Sequence, residues 1–188
     1  MIRALTAAAS MACLAACAAG TAPLDRAAAP LAASEVERFL PLYDGHVLSY
    51  WVYVDGGASP EQAIFQVART DAAHASLRSG STVRELVLAP DGIRSATGGY
   101  LLRAPLVPGA RWDGPIGLVQ LVAIDQSIAV SAGHFSGCIE TREATLGTEP
   151  RQIATVYCPG VGITQITIEG GDRFELRSYG QRVDLDAR

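Results

Sequence analysis

The chain has 188 residues, a formal net charge of −4, 49% apolar and 18% charged residues, which favours one domain with a real core and excludes a wholly disordered chain. All 15 basic residues are Arg, and Lys and Asn are absent, so a P-loop, a Schiff-base Lys, an S-x-x-K nucleophile and an N-x-S/T glycan site are excluded. That bias reads as codon usage in a GC-rich genome, and Arg scattered singly in a mildly acidic chain does not make a nucleic-acid surface.

Met1 to Cys17, MIRALTAAASMACLAAC, places Arg3 ahead of a run of small and apolar residues too short to span a bilayer as a stable helix. Residues 1–16 read as a secretion signal. Leu14-Ala15-Ala16-Cys17 resembles the bacterial lipobox, which makes Cys17 the expected lipidated first residue of the mature chain. Cys13, after Ser10-Met11-Ala12, is a poorer match. Acyl chains contribute about 0.8 kcal/mol per buried methylene, so several of them anchor a protein stably. Ala18 rather than Asp after the Cys resembles lipoproteins forwarded to the outer membrane, facing the periplasm. Residues 17–34, interrupted by Pro23 and Pro30, read as a flexible tether reaching roughly 20 to 25 Å; a nascent helix from Ala27 is the alternative.

From residue 35 to 188 the texture predicts an all-β domain, an antiparallel two-layer sheet or an open barrel. Ser34 to Phe39 is a helix candidate and Asp71 to Leu77 is ambiguous. Strands are expected over His46 to Val54, Gln62 to Arg69, Thr82 to Ala89, Ile116 to Ile124 and Ser127 to Ser131. In Thr164 to Ile168 and Phe174 to Leu176 the apolar residues fall on even positions, and Glu169-Gly170-Gly171-Asp172 is a tight turn between them. Two stretches, PLYDGHVL from Pro41 and PLVPGARW from Pro105, share P-L-x-x-G-x-x-(large apolar). Each reads as a corner: Pro fixes φ, Gly permits a turn, and the following strand carries a large side chain inward. Chance recurrence competes with a true repeat.

The two corners, then Ala132-Gly133-His134-Phe135-Ser136-Gly137-Cys138 (A-G-x-F-x-x-C), Tyr157-Cys158-Pro159-Gly160-Val161-Gly162 (Y-x-P-G-V-G) and a closing E-L-x-S-Y over Glu175 to Tyr179 resemble a broad group of mostly uncharacterised bacterial envelope lipoproteins. The resemblance covers about Pro41 to Gly180 and implies an antiparallel β-sheet fold, not an activity. The first corner departs from the group, which usually has Trp where this chain has Leu48.

No catalytic constellation is written along the chain. Gly133-His134-Phe135-Ser136-Gly137 is not G-x-S-x-G, and His46, His74 and His134 lie far apart, so a metal site built from them would exist only in three dimensions. Asp184 and Asp186 lack the remaining ligands of a calcium loop, and no cofactor is expected. Cys138 and Cys158 are the only cysteines of the exported domain. A hairpin with Thr145 opposite Arg151 and Cys138 opposite Cys158 puts both thiols on one face at disulfide distance. The expected function is a membrane-anchored, non-catalytic binding module for an apolar ligand, with an envelope scaffold as the alternative and an unrecognised enzyme third. Trp51, Tyr53 and Trp112 are the candidate pocket wall, against the simpler reading that they fill the core, and a carrier calls for an apolar cavity of about 300 Å³ or more.

Overall fold

The computed structural model describes residues 34–147 and 150–181; Cys17, the lipobox, the tether before Ser34, and Asp184 and Asp186 lie outside the described residues. The chain begins with α1 (Glu35–Phe39), whose start is written as a capping box. Ser34 Oγ accepts from the Glu37 amide (3.1 Å), and the Glu37 carboxylate accepts from the Ser34 amide (3.3 Å). This turn buries Val36 and Phe39.

The strands are β1 (His46–Tyr53), β2 (Glu61–Arg69), β3 (His74–Ser79), β4 (Thr82–Ala89), β5 (Gly92–Ser95) and β6 (Tyr100–Arg103). After them come β7 (Arg111–Asp113), β8 (Gly117–Val130), β9 (Gly133–Thr145), β10 (Gln152–Cys158), β11 (Gly162–Ile168) and β12 (Arg173–Gln181). Among the described residues these twelve form one antiparallel sheet in the order β6-β5-β4-β3-β2-β1-β12-β11-β10-β9-β8-β7, nearly closed into a barrel. The barrel is therefore the form that the expected all-β domain takes. Pairing β1 with β12 joins two consecutive six-stranded meanders, and the strands left at the margins are β6 and β7.

Each meander is led by one copy of the doubled corner, and the copies share their burial pattern, their turn and two backbone hydrogen bonds, while only the second has a cis Ala104–Pro105 bond and a Val107 amide to Pro105 carbonyl bond. Leu42 and Leu106 are buried, Gly45 and Gly109 are left-handed (φ 71° and 88°), and Leu48 and Trp112 point into the core. The amide after each Gly closes the same turn, His46 to the Tyr43 carbonyl and Ala110 to the Val107 carbonyl, both 3.1 Å. Each Gly amide donates to the next strand of its own meander, Gly45 to Val67 (3.0 Å) and Gly109 to Leu121 (2.8 Å). The recurrence is thus a structural repeat.

About eight strands suffice for side chains to fill a barrel, whereas sixteen leave an aqueous channel. Twelve lie between those limits, so the interior needs a plug. Val36, Phe39, Leu40 and Leu42 supply part of it, packed into a core with Tyr50, Val67, Leu86, Leu102, Leu121, Tyr157 and Leu176.

Several elements differ from the sequence reading. Asp71–Leu77 is a turn followed by the start of β3, because the Asp71 carboxylate accepts from the Ala73 amide (2.7 Å) and holds the chain out of a helix. The segments expected as two strands between Ile116 and Ser131 are the single strand β8, whose register on β9 shifts between Leu121 and Ile128 with Asp125 at φ 54°. The β9–β10 pairing runs from Gln152 opposite Ala144 to Tyr157 opposite Ile139, the register expected for the hairpin.

Candidate functional site: an apolar cavity inside the barrel

The space that the plug leaves empty is a cavity of about 280 Å³. Its walls are mostly aliphatic and aromatic, with Leu48, Tyr50, Phe65, Leu77, Ile163 and Phe174 in the wall and Leu40 and Leu42 contributing from the plug. The alternation of the strands explains this lining. On β1, Leu48 faces in, so Tyr50 two residues on does as well, and Phe65 on β2 pairs directly with Leu48.

Polar groups of the wall are kept occupied by the barrel itself. Tyr50 Oη crosses the interior and donates to the Ile163 carbonyl (2.8 Å), just past the point where the β11–β12 pairing ends at Gln165 opposite Glu175. Tyr157, deeper in the core, donates likewise to the Leu101 carbonyl on β6 (3.2 Å). Burial holds both phenols well above the ordinary tyrosine value, so both remain neutral donors. At the same β11–β12 gap the Ala132 amide, from the tip of the β8–β9 hairpin, donates to the Leu176 carbonyl (3.0 Å), while Ser131 bonds the Glu175 carboxylate.

The remaining polar lining, Ser79, Thr82 and Arg84, comes from the β3–β4 hairpin. Thr82 and Arg84 are exposed, so this side of the cavity reaches solvent. The geometry allows it, because β5 begins to pair with β4 only at Leu86 opposite Ser95, the Ala96 amide still bonds the Glu85 carbonyl (2.9 Å), and Thr82 to Arg84 have no ladder partner on that side.

None of the three aromatic residues singled out from the sequence lines this cavity. Trp51 and Tyr53 have the opposite parity to Tyr50 and lie half-buried on the outer face, under the guanidinium groups of Arg177 (4.4 Å) and Arg173 (4.3 Å). Trp112 is buried at the margin between the two meanders, where its Nε1 donates to the Tyr100 carbonyl on β6 (3.0 Å). The residues that do form the wall were within reach of the sequence. Once the corner places Leu48 inward, a period of two assigns Tyr50 to the interior and Trp51 and Tyr53 to the exterior.

Cys138 and Cys158 are bonded to each other, with Cα atoms 4.2 Å apart and both residues fully buried. The three histidines are dispersed. His46 is buried between the ring edges of Tyr43 and Tyr179, His74 Nδ1 lies 3.0 Å from the Asp71 carboxylate, and His134 is exposed near the β8–β9 tip. Among the described residues no three His, Cys, Asp or Glu side chains come together as a metal site.

Among solved structures, the barrel resembles one from Bacteroides fragilis NCTC 9343 described as an exported protein with a YmcC-like fold, at TM-score 0.50 and 11% identity over 76% of this chain and 99% of that one. The two share a fold. A protein of Parabacteroides distasonis ATCC 8503 described as a lipoprotein aligns at TM-score 0.48 and 13% identity, over 78% of this chain and 100% of that one. No family profile and no curated protein sequence matches the chain.

Proposed function

We propose that the protein is a bacterial envelope lipoprotein, anchored through Cys17 and facing the periplasm from the outer membrane, whose barrel binds an apolar ligand without chemical turnover. The observation that carries the binding role is the cavity: about 280 Å³, apolar, connected to solvent beside the β3–β4 hairpin and walled by side chains from both meanders. Its volume falls just short of the roughly 300 Å³ at which ligand sites of roughly 300 to 1,000 Å³ begin, and is well above the roughly 150 Å³ of an engineered cavity that accepts benzene. A single acyl chain or a small ring system fits it better than the tails of a diacyl lipid. The envelope location is supported by the lipobox in the sequence and by a fold shared with a protein described as exported.

The test fills the cavity. Trp112 shows that the corner accepts an indole at the position equivalent to Leu48, so Leu48→Trp should fold and occupy the space. In the full chain carrying Cys17→Ser, produced under oxidising conditions, binding of an apolar fluorescent probe such as N-phenylnaphthylamine should weaken at least about tenfold, equivalent to about 1.4 kcal/mol. Unchanged probe binding by a folded Leu48→Trp protein rejects the cavity as the binding site and leaves the scaffold reading in its place.

A further inference from the structure

Resting on the cavity reading above, we propose that the ligand is a single-tailed amphiphile with an anionic head, its tail among Tyr50, Phe65 and Leu77 and its head on Arg84. The register of β3 and β4 puts Arg84 on the interior face. Arg84 pairs directly with Leu77, Ser79 with Thr82, and Ala75 with Leu86, and directly opposed residues share a face. Ala75 and Leu86 are fully buried, which fixes that face as the inner one. Arg84 is therefore, among the described residues, the one charged side chain of the cavity's lining, at the point where the inner surface meets water.

No carboxylate among the described residues lies within ion-pairing distance of Arg84. The ion pairs found use Arg69, His74, Arg103, Arg142 and Arg173 instead. Other arginines among the described residues also lack a carboxylate, but none of these lines the cavity. Ser79 and Thr82 lie on the same face of the same hairpin and add two hydroxyl donors, so a guanidinium and two hydroxyls line the edge of the cavity where a tail running out of it would end. A guanidinium recognises carboxylate and phosphate heads alike.

Four probes with one tail and different heads test this: laurate, lauryl phosphate, lauryl alcohol and lauryltrimethylammonium, each titrated calorimetrically below its micellar concentration into the full chain carrying Cys17→Ser. Laurate, lauryl phosphate or both should bind about threefold to tenfold more tightly than the alcohol, and the trimethylammonium more weakly than the alcohol. Whichever anion binds more tightly names the head group. Arg84→Gln should erase the preference, bringing both anions down to the affinity that the same variant has for the alcohol, while Arg84→Lys should keep part of it. Equal affinity for the alcohol and both anions overturns the proposal while leaving an apolar site standing. So does an Arg84→Gln protein that loses affinity for all four probes equally. A charge at an unpaired strand margin also blunts edge-to-edge association; an Arg84→Gln protein that self-associates but keeps its head-group preference assigns Arg84 to that role and overturns the proposal. Binding of none of the four rejects the cavity reading itself.

Discussion

Gly45 and Gly109 hold the same backbone conformation for the same reason. Each turns the chain from a buried Leu into a strand at positive φ, and a Cβ added to either would meet no atom within 4 Å. An alanine at either position therefore adds backbone strain alone, about 1 to 2 kcal/mol. Urea unfolding of Gly45→Ala and Gly109→Ala should show losses of that size that agree with each other; a large cost at one corner and none at the other would mean that only one corner organises its meander. His46 illustrates the opposite case, a residue whose strand position was readable and whose environment was not. Its ring is buried against Tyr43 and Tyr179, Nδ1 has no hydrogen-bond partner among the described residues, and burial lowers its pKa. The folded state thus takes up the imidazole proton less readily than the unfolded chain does. Its contribution to stability is full above the unfolded value of about 6.5 and is lost as pH falls through that value toward the folded pKa. His46→Phe, which keeps a ring but no titration, should be less sensitive than the wild type to acidification from about pH 7.5 to 5. Parallel urea midpoints for the two proteins across that range would show that His46 does not drive the dependence.

At the scale of elements, legibility followed the physics of each strand. The β9–β10 register and the β11–β12 turn could be read because one face of each strand is wet and a slip by one residue would turn the buried face outward. Helix α1 could be read because Ser34 and Glu37 spell its cap. Strands β5, β6 and β7 were missed: they have three or four residues each, too few to show a period, and are bounded by Gly and Pro. The β8 bulges were missed because Asp125 at positive φ carries no glycine to announce it. The β9–β10 pair is also the one that carries a covalent tie, at a sequence separation of 20. Closing a loop of that size contributes about 3 kcal/mol in the chain-entropy model. Replacing both Cys138 and Cys158 with Ala should lower the unfolding free energy by about that much, plus a term for the small volume lost from a fully buried site. A double variant as stable as the wild type under non-reducing conditions would show that the tie adds nothing to the fold.

For the whole molecule, the sequence conveyed the repeat but not the closure, because closure rests on contacts between the first meander and the second. The two junctions between meanders are unequal. At one, β1 and β12 pair from His46 opposite Gln181 to Tyr53 opposite Arg173. At the other, β6 and β7 share no ladder, and the chains approach so closely that a Cβ on Gly99 would strike the Gly114 carbonyl. Trp112 Nε1 bridges this junction to the Tyr100 carbonyl, and Tyr157 reaches the Leu101 carbonyl beside it. Two side-chain donors thus stand in for a missing row of backbone bonds. Trp112→Phe keeps an aromatic ring at the junction but removes one donor, leaving the part-buried Tyr100 carbonyl short of a partner at a cost of about 1 kcal/mol. Because the ladder between β1 and β12 does not depend on Trp112, the effect should be local. Hydrogen exchange should accelerate at the amides of β6, Tyr100–Arg103, and of β7, Arg111–Asp113, before it does in β1 or β12. Uniform acceleration across all strands would instead show that the barrel opens as one unit, with Trp112 serving only as general core.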